Sequence, residues 1–211
     1  MADPSDVVAI IPMKPLAAGK TRLARALTPE QRADIVIGML RRVLMALQGA
    51  SIDPIWVVGG DDRIKNLTRN FSALWLSDWG RNLNDTLTKA FQRASEQGKS
   101  PLYVPSDLPF LKTSDIHSLV GASRRLNNIT LAPARRDGGT NGILVPRGLA
   151  FLPELGRRSF TKHLSQAAKL GVSVAVCYSP GLSFDLDTID DLEAYQHMEP
   201  GLLQRLLPAP D

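Results

Sequence analysis

The chain predicts an α/β domain in which a mostly parallel sheet carries helices on both faces. Three observations support this. Short, wholly apolar, β-rich runs recur along the 211 residues and read as strands buried on both faces. Stretches with helical periodicity alternate with them, the pattern of crossover connections between parallel strands. The loops richest in Gly, Pro, Asp and Lys fall at the ends of the strand-like runs, where parallel sheets bind ligands.

The first strand is expected over Val7–Ile11. Pro12 and Pro15 cannot continue a ladder, and the loop after it carries Lys14, Gly19, Lys20, Thr21 and Arg22. Thr28-Pro29-Glu30-Gln31 provides an N-cap, a proline at the first helical position and a capping-box glutamine. The helix it opens has a core stripe of Ile35, Val36, Met39, Leu40, Val43, Leu44 and Leu47. Further strands are expected at Ile55–Val58, Ala73–Leu76, Leu102–Val104, Ile129–Ala132, Ile143–Val145 and Val172–Tyr178. Helices are expected near Asp61–Thr68, Leu83–Gln97, Ser114–Arg125 and Ser159–Leu170, with a capped start at Thr188. No internal repeat is visible. Residues 1–211 read as one domain, with residues 1–6 and about 200–211 as flexible ends.

Composition narrows the function. Hydrophobic residues make up 44% and charged residues 22% of the chain, the balance of a soluble globular protein. The net charge of +4 is not spread evenly: residues 1–100 hold 14 Lys+Arg against 10 Asp+Glu, and residues 101–211 hold 11 of each. Basic groups in one half and an acidic cluster in the other suit an anionic substrate and a metal. No dense basic stripe with interleaved aromatics suggests nucleic acid, and no apolar run approaches membrane-spanning length. A single cysteine, Cys177, excludes an internal disulfide; with no visible signal peptide, a reducing, cytoplasmic setting is expected.

Four constellations carry chemistry. The cationic loop after the first strand suits a polyphosphate, which backbone N–H groups and ammonium heads can share. It is not a P-loop: the first glycine of that motif is replaced by Lys14, and Pro15 removes an N–H from the cradle. Asp107 leaves a strand end after Pro105 and is stiffened by Leu108-Pro109. Asp185 and Asp187 sit at i and i+2 of an extended segment, on one face, with Phe184 and Leu186 turned inward. Together the three aspartates make an oxygen-rich site of the kind Mg²⁺ prefers, although Asp187 alone could simply begin a turn and cap the next helix. Asp137-Gly138-Gly139-Thr140-Asn141-Gly142 is either a plain hairpin-type loop or an anion seat. Arg157-Arg158-Ser159 opens a helix, Ser159 being a plain cap or an anion contact. Asn82 and Asn84 are open between capping and ligand contact. His117, His163 and His197 do not cluster, so zinc is not expected. No nucleophile and base pair is visible, which favours chemistry by metal ions and positioning.

In the order IIPMKPLAAGKTRL, SDLPFL, DGGTNGIL and SFDLDTIDDL, these motifs resemble the 2-phospho-L-lactate guanylyltransferases. The resemblance spans Val7 to about Leu192. It implies a Rossmann-like, GT-A-like nucleotidyltransferase fold, and a reaction in which a small phosphorylated acid attacks the α-phosphorus of GTP and expels pyrophosphate in coenzyme F-420 biosynthesis. It also implies that Asp107, Asp185 and Asp187 hold Mg²⁺, two ions, with Lys20 beside them in the catalytic group. Pro12, Lys14, Gly19, Lys20, Arg22, Asn84 and Pro105 would lie along the nucleotide, and Thr140, Gly156 and Ser159 would face the acceptor. The acceptors in the family are 2-phospholactate, phosphoenolpyruvate and 3-phosphoglycerate, and no residue here chooses among them. The partners implied are small molecules, with a homodimer left open. The readings set beside this one are a same-fold enzyme acting on molybdopterin or a sugar phosphate, and a non-catalytic nucleotide-binding module. The first is disfavoured because MKPLAAGK replaces a glycine-rich LAGG-type loop, the second because all three aspartates are present.

Overall fold

The computed structural model describes residues 3–123, 127–136 and 138–207. Asp137 of the glycine-rich loop and Arg125, the expected helix end, lie outside the described residues. The strands are β1 (Val7–Met13), β2 (Ile55–Gly59), β3 (Leu74–Leu76), β4 (Ser100–Tyr103), β5 (Ile129–Pro133), β6 (Thr140–Leu144) and β7 (Val174–Val176). The helices are α1 (Pro29–Gly49), α2 (Asp62–Arg69), α3 (Leu83–Glu96), α4 (Thr113–Gly121), α5 (Ser159–Lys169), α6 (Pro180–Ser183), α7 (Ile189–Met198) and α8 (Leu202–Leu206).

All seven strands form one sheet in the order β3-β2-β1-β4-β6-β5-β7. Neighbours pair in parallel except around β6, which runs antiparallel to both β4 and β5. The expected mostly parallel sheet is therefore present with one reversed strand. That reversal follows from the short β5–β6 connection, which leaves no room for a crossover. The chain leaves β1 toward β2 on one side and returns to β4 on the other. This puts the topological switch, and the crevice that comes with it, at the carboxyl ends of β1 and β4.

Alternation along β1 divides the core in two. Val7, Ala9, Ile11 and Met13 face one layer with α1, α2, α4 and α7; Val8 and Ile10 face the other with α3 and α5. The seven stripe residues expected on α1 are all buried, and Thr28 and Gln31 close the capping box reciprocally. Cys177 is buried in the first layer, as expected for a core thiol.

The C-terminal reading needs correction. Instead of a flexible run from about residue 200, Leu202–Leu206 form α8, with Leu202 and Leu206 buried and Leu203 and Leu207 packed against the same core. These leucines cover the domain's own α1. Gly38 on α1 makes the close approach possible, since a Cβ there would lie 2.1 Å from the Leu206 carbonyl oxygen. A lone leucine-rich turn has no periodic signal long enough to show this docking in the sequence.

Gly38→Val should therefore destabilise the protein by about 1–3 kcal/mol through overpacking, despite its better helix propensity. Gly121→Ala, at the end of α4 with nothing within 4 Å of the new Cβ, should stabilise by roughly 0.5 kcal/mol. Urea unfolding midpoints of the two variants should move in opposite directions.

Candidate active site

The loop after β1 is pinned by its apolar residues and presents its basic ones. Leu16 and Leu23 are buried, while Lys14 and Arg22 are exposed. The Leu16 amide donates to Asp61 Oδ2 at 2.8 Å, and the other oxygen of Asp61 caps α2. The loop is thus tied to the end of β2. Two short 3-10 turns, Leu16–Ala18 and Thr21–Leu23, replace the single helix that a P-loop would open. Gly19 has an ordinary φ of −79°, and Lys20 is the left-handed residue, with φ 46° and ψ 39°. A left-handed lysine costs on the order of 1 kcal/mol, and the geometry turns the Lys20 ammonium inward.

That ammonium joins the aspartate motifs. Lys20 Nζ donates to Asp107 Oδ2 and to Asp187 Oδ1, each at 2.7 Å, and the lysine side chain is 9% exposed. Burial works to lower the lysine pKa, but the two carboxylates reverse this and raise it. Burial likewise works to raise the Asp187 carboxyl, and Lys20, with Arg22 and Lys14 beyond it, holds it below its ordinary value.

The Asp185–Asp187 segment is fixed from several sides. Its central amide, Leu186 N–H, donates to the Asp107 carbonyl at 3.1 Å, and Leu186 is fully buried. Tyr195 of α7 donates its hydroxyl to the Asp185 carbonyl at 3.1 Å. Phe110, Phe184 and Tyr195 pack edge to face beneath, with centroids 5.2–6.0 Å apart. Thr188 and Asp191 cap α7 with a capping box, so the expected cap exists beside the site rather than instead of it. Asp185 is the carboxylate left under-compensated. Burial, then the charges of Asp107 and Asp187, push its pKa up, while Asn141 Nδ2 donates to it at 3.3 Å.

The expected three-carboxylate metal cage is therefore not preformed. Among the described residues, no three His, Cys, Asp or Glu side chains are grouped closely enough to hold an ion, because Lys20 fills the gap between Asp107 and Asp187. The donor set still fits Mg²⁺, which binds through one or two carboxylates together with substrate phosphates. Asp185, crowded by like charges, is the group a cation would relieve.

A cleft of about 630 Å³ opens over this point, at the carboxyl ends of β1 and β4. Of the residues expected there, Pro12, Lys14, Gly19, Lys20, Arg22, Pro105, Asp107 and Asp187 line it. Asn84 does not: both ends of its amide engage the Leu155 backbone, at 2.8 and 3.3 Å, tying α3 to the segment before Gly156. Thr140, Gly156, Ser159 and Asp185 are also outside the cleft lining. The wall formed by Asp78, Gly80 and Arg81 was not anticipated. Asp78 shapes it by accepting from the Gly80 amide and the Thr86 hydroxyl at 2.8 and 2.7 Å. The position of Asp78 just after a strand was the one available signal.

The residues expected to face the acceptor group separately. Thr140 is the first residue of β6 rather than part of a loop, and the register shifts by one between Ala132 and Pro133, opposite Asn141. This bulge re-aims the neighbouring side chains, so Asn141 reaches Asp185 while Thr140 reaches α5. Ser159 is not the cap of α5; Arg158 is, in a left-handed conformation. The Ser159 hydroxyl donates instead to Thr140 Oγ1 at 3.2 Å, and Thr140 Oγ1 lies 3.0 Å from His163 Nδ1. His163, fully buried, was read in the sequence only as an unclustered histidine, because its partners are 23 and 9 residues away.

The sheet and the strand-end site define a nucleotidyltransferase class of fold. The fold is similar to that of a putative nucleotide-diphospho-sugar transferase from Desulfovibrio desulfuricans G20, with a TM-score of 0.75 at 16% identity over 93% of this chain and 88% of that one. Residues 7–199 match the model of the family described as "Guanylyl transferase CofC like", and the chain belongs to that family. It is 36% identical over 189 residues to the phosphoenolpyruvate guanylyltransferase of Rubrobacter xylanophilus, covering 88% of this chain and 91% of that protein. It is 32% identical over 199 residues to the 2-phospho-L-lactate guanylyltransferase of Methanocaldococcus infernus, covering 94% and 88%. No helix among the described residues is long and apolar enough to cross a membrane.

Burial, aided by the charge of Lys162, lowers the His163 pKa from 6.5 to about 4. The unfolded ring therefore takes up a proton first as pH falls. Stability tied to this residue is complete above about pH 6.5 and is lost as the pH drops toward 4, by roughly 3 kcal/mol in all. The urea midpoint advantage of the wild type over His163→Gln should shrink across that window.

Proposed function

We propose that this guanylyltransferase moves GMP from GTP to the phosphate of a phosphorylated three-carbon acid, releasing pyrophosphate, in the assembly of coenzyme F-420. The observation that carries the reading is the ammonium of Lys20 set between Asp107 and Asp187 at the floor of a cleft whose rim bears Lys14, Arg22 and Arg81. A cleft with that rim attracts a polyphosphate, and the carboxylates beneath suit the cation that travels with it. The family and the names of the relatives support guanine as the base and a phospho-acid as the acceptor.

Asp185, with Asp107 and Asp187 beside it, would hold Mg²⁺. Bound there, the ion would supply charge neutralisation at the α-phosphate and orient its oxygens. The remaining work belongs to the chain. Lys14 and Arg22 receive the triphosphate, and Pro12 and Pro105 form the walls along the nucleoside. Thr140 and Ser159, beside Gly156, hold the acceptor so that a phosphate oxygen faces the α-phosphorus. That oxygen forms the new P–O bond as the bond to the β-phosphate oxygen breaks in line. Lys20 and Arg22 neutralise the charge that moves onto the departing pyrophosphate. The attacking oxygen is already ionised at neutral pH, so the step needs no general base.

Pyrophosphate release from GTP or ATP should be measured against phosphoenolpyruvate, 2-phospholactate, 3-phosphoglycerate, molybdopterin and a sugar phosphate. Release is expected with GTP and a three-carbon phospho-acid. Release with none of them would favour a nucleotide-binding module and sink the proposal. Asp107→Asn should lower kcat by about 10³-fold at saturating GTP and Mg²⁺, and near-normal turnover would refute the metal assignment.

A further inference from the structure

We propose that His163 is a positioning residue that keeps one hydroxyl proton of the Thr140–Ser159 pair available to the anionic acceptor, an inference that rests on the acceptor site proposed above. A buried Ser–Thr pair shares one hydrogen bond and holds a second proton, but an imidazole lone pair facing Thr140 would take that proton and leave only lone pairs for a ligand, which would repel a carboxylate or phosphate. Which side of the pair bears the spare proton matters less than whether one exists.

A proton count decides it. The backbone N–H of Glu154 points at His163 Nε2, 3.0 Å away. An amide N–H can only donate, so Nε2 must carry a lone pair and the neutral ring carries its proton on Nδ1. Nδ1 lies 3.0 Å from Thr140 Oγ1 and donates to it. Ser159 Oγ and Thr140 Oγ1 are 3.2 Å apart and share one hydrogen bond, which takes one of their two hydroxyl protons. The second proton is then uncommitted within the triad. With the opposite tautomer Thr140 would have to donate into the ring, Ser159 would donate to Thr140, and no proton would remain. Burial of the ring and the nearby Lys162 oppose a second proton on the imidazole, which would clash with the Glu154 amide.

The surroundings suit an anion reached from the catalytic side. The Ser159 amide donates to the Gly156 carbonyl at 3.0 Å. Gly156 itself has φ +119° and open space where a Cβ would stand, which lets a ligand come close to the pair. Asn141, the next residue after Thr140, donates to Asp185, linking the pair to the carboxylate proposed for the metal. The Glu154 amide is thus the origin of a chain of donors, Glu154 to His163 to Thr140, that ends on the substrate.

Two isosteric replacements separate this role from simple packing. His163→Asn keeps an amide nitrogen where Nδ1 stands and can still donate to Thr140. His163→Asp puts a carboxylate oxygen there, an acceptor only, so that Thr140 donates to it, Ser159 donates to Thr140 and no proton is left for a ligand. Steady-state pyrophosphate release should show the acceptor KM raised about 10- to 100-fold in H163D, the scale of one hydrogen bond to a charged group. The GTP KM should stay within about twofold, and H163N should keep the acceptor KM near the wild-type value. In a Thr140→Val background, where residue 163 meets no Thr140 hydroxyl, H163D should cause no further rise. An unchanged acceptor KM in H163D, or the same rise when H163D is added to Thr140→Val, would overturn the inference. GTP affinity and the thermal transition report folding of each variant. Wild-type protein that turns over no phospho-acid defeats the acceptor reading itself, an outcome distinct from an active wild type with an indifferent H163D.

Discussion

A buried ammonium between two carboxylates organises this molecule's business end. Lys20, Asp107 and Asp187 come from segments separated by 87 and 80 positions, and each would be costly to bury by itself. Desolvating a lysine is unfavourable by several kcal/mol unless opposite charge meets it. The two carboxylates keep partial contact with water, so the lysine is the group that depends on the meeting: the loop after β1, the end of β4 and the run before α7 must arrive at one point for its ammonium to be buried there. The left-handed backbone at Lys20 is part of the same constraint: strain at one residue is accepted because the charge balance of three segments depends on where its side chain points.

The sheet makes that meeting possible. Parallel pairing of β1 with β2 and β4 lines up the carboxyl ends, and the direction change between β1 and β4 opens the crevice. The backbone bond from Leu186 to the Asp107 carbonyl then extends this alignment to a segment outside any strand. The aromatic trio beneath holds it. Polar function rests here on apolar support: Leu108 and Leu186, fully buried, sit beside the aspartates they position.

The charge balance also leaves a deliberate gap. Lys20 satisfies Asp107 and Asp187, while Asp185 is crowded by both and met by a single amide from Asn141. Under the proposed function, a site that is neutral on one side and electronegative on the other would suit a cation that arrives with its phosphates. The buried Thr140–Ser159–His163 chain shows the opposite economy, in which a backbone amide settles the tautomer of a ring and the ring settles the polarity of two hydroxyls.

Much of this was legible in the residues. Alternating apolar runs and capped helical stripes determine an α/β sheet because the periods of 2 and 3.6 are local properties of the chain. Lys20 and Asp107 stood out as charges in glycine- or proline-bearing loops after apolar runs, and Asp185 and Asp187 as a carboxylate pair at i and i+2 on one face of an extended segment. What the sequence could not decide is everything that depends on meeting across the fold. The reversal of β6, the docking of α8 against Gly38, the lysine in the place expected for a metal, and the bulge that divides Thr140 from Asn141 are set by contacts between distant segments. His163 belongs with them: its chemistry lies in an amide and a hydroxyl that only the folded chain brings to its two nitrogens. Local pattern determines which elements form, whereas the balance of burial and charge at their junctions determines what those elements can do.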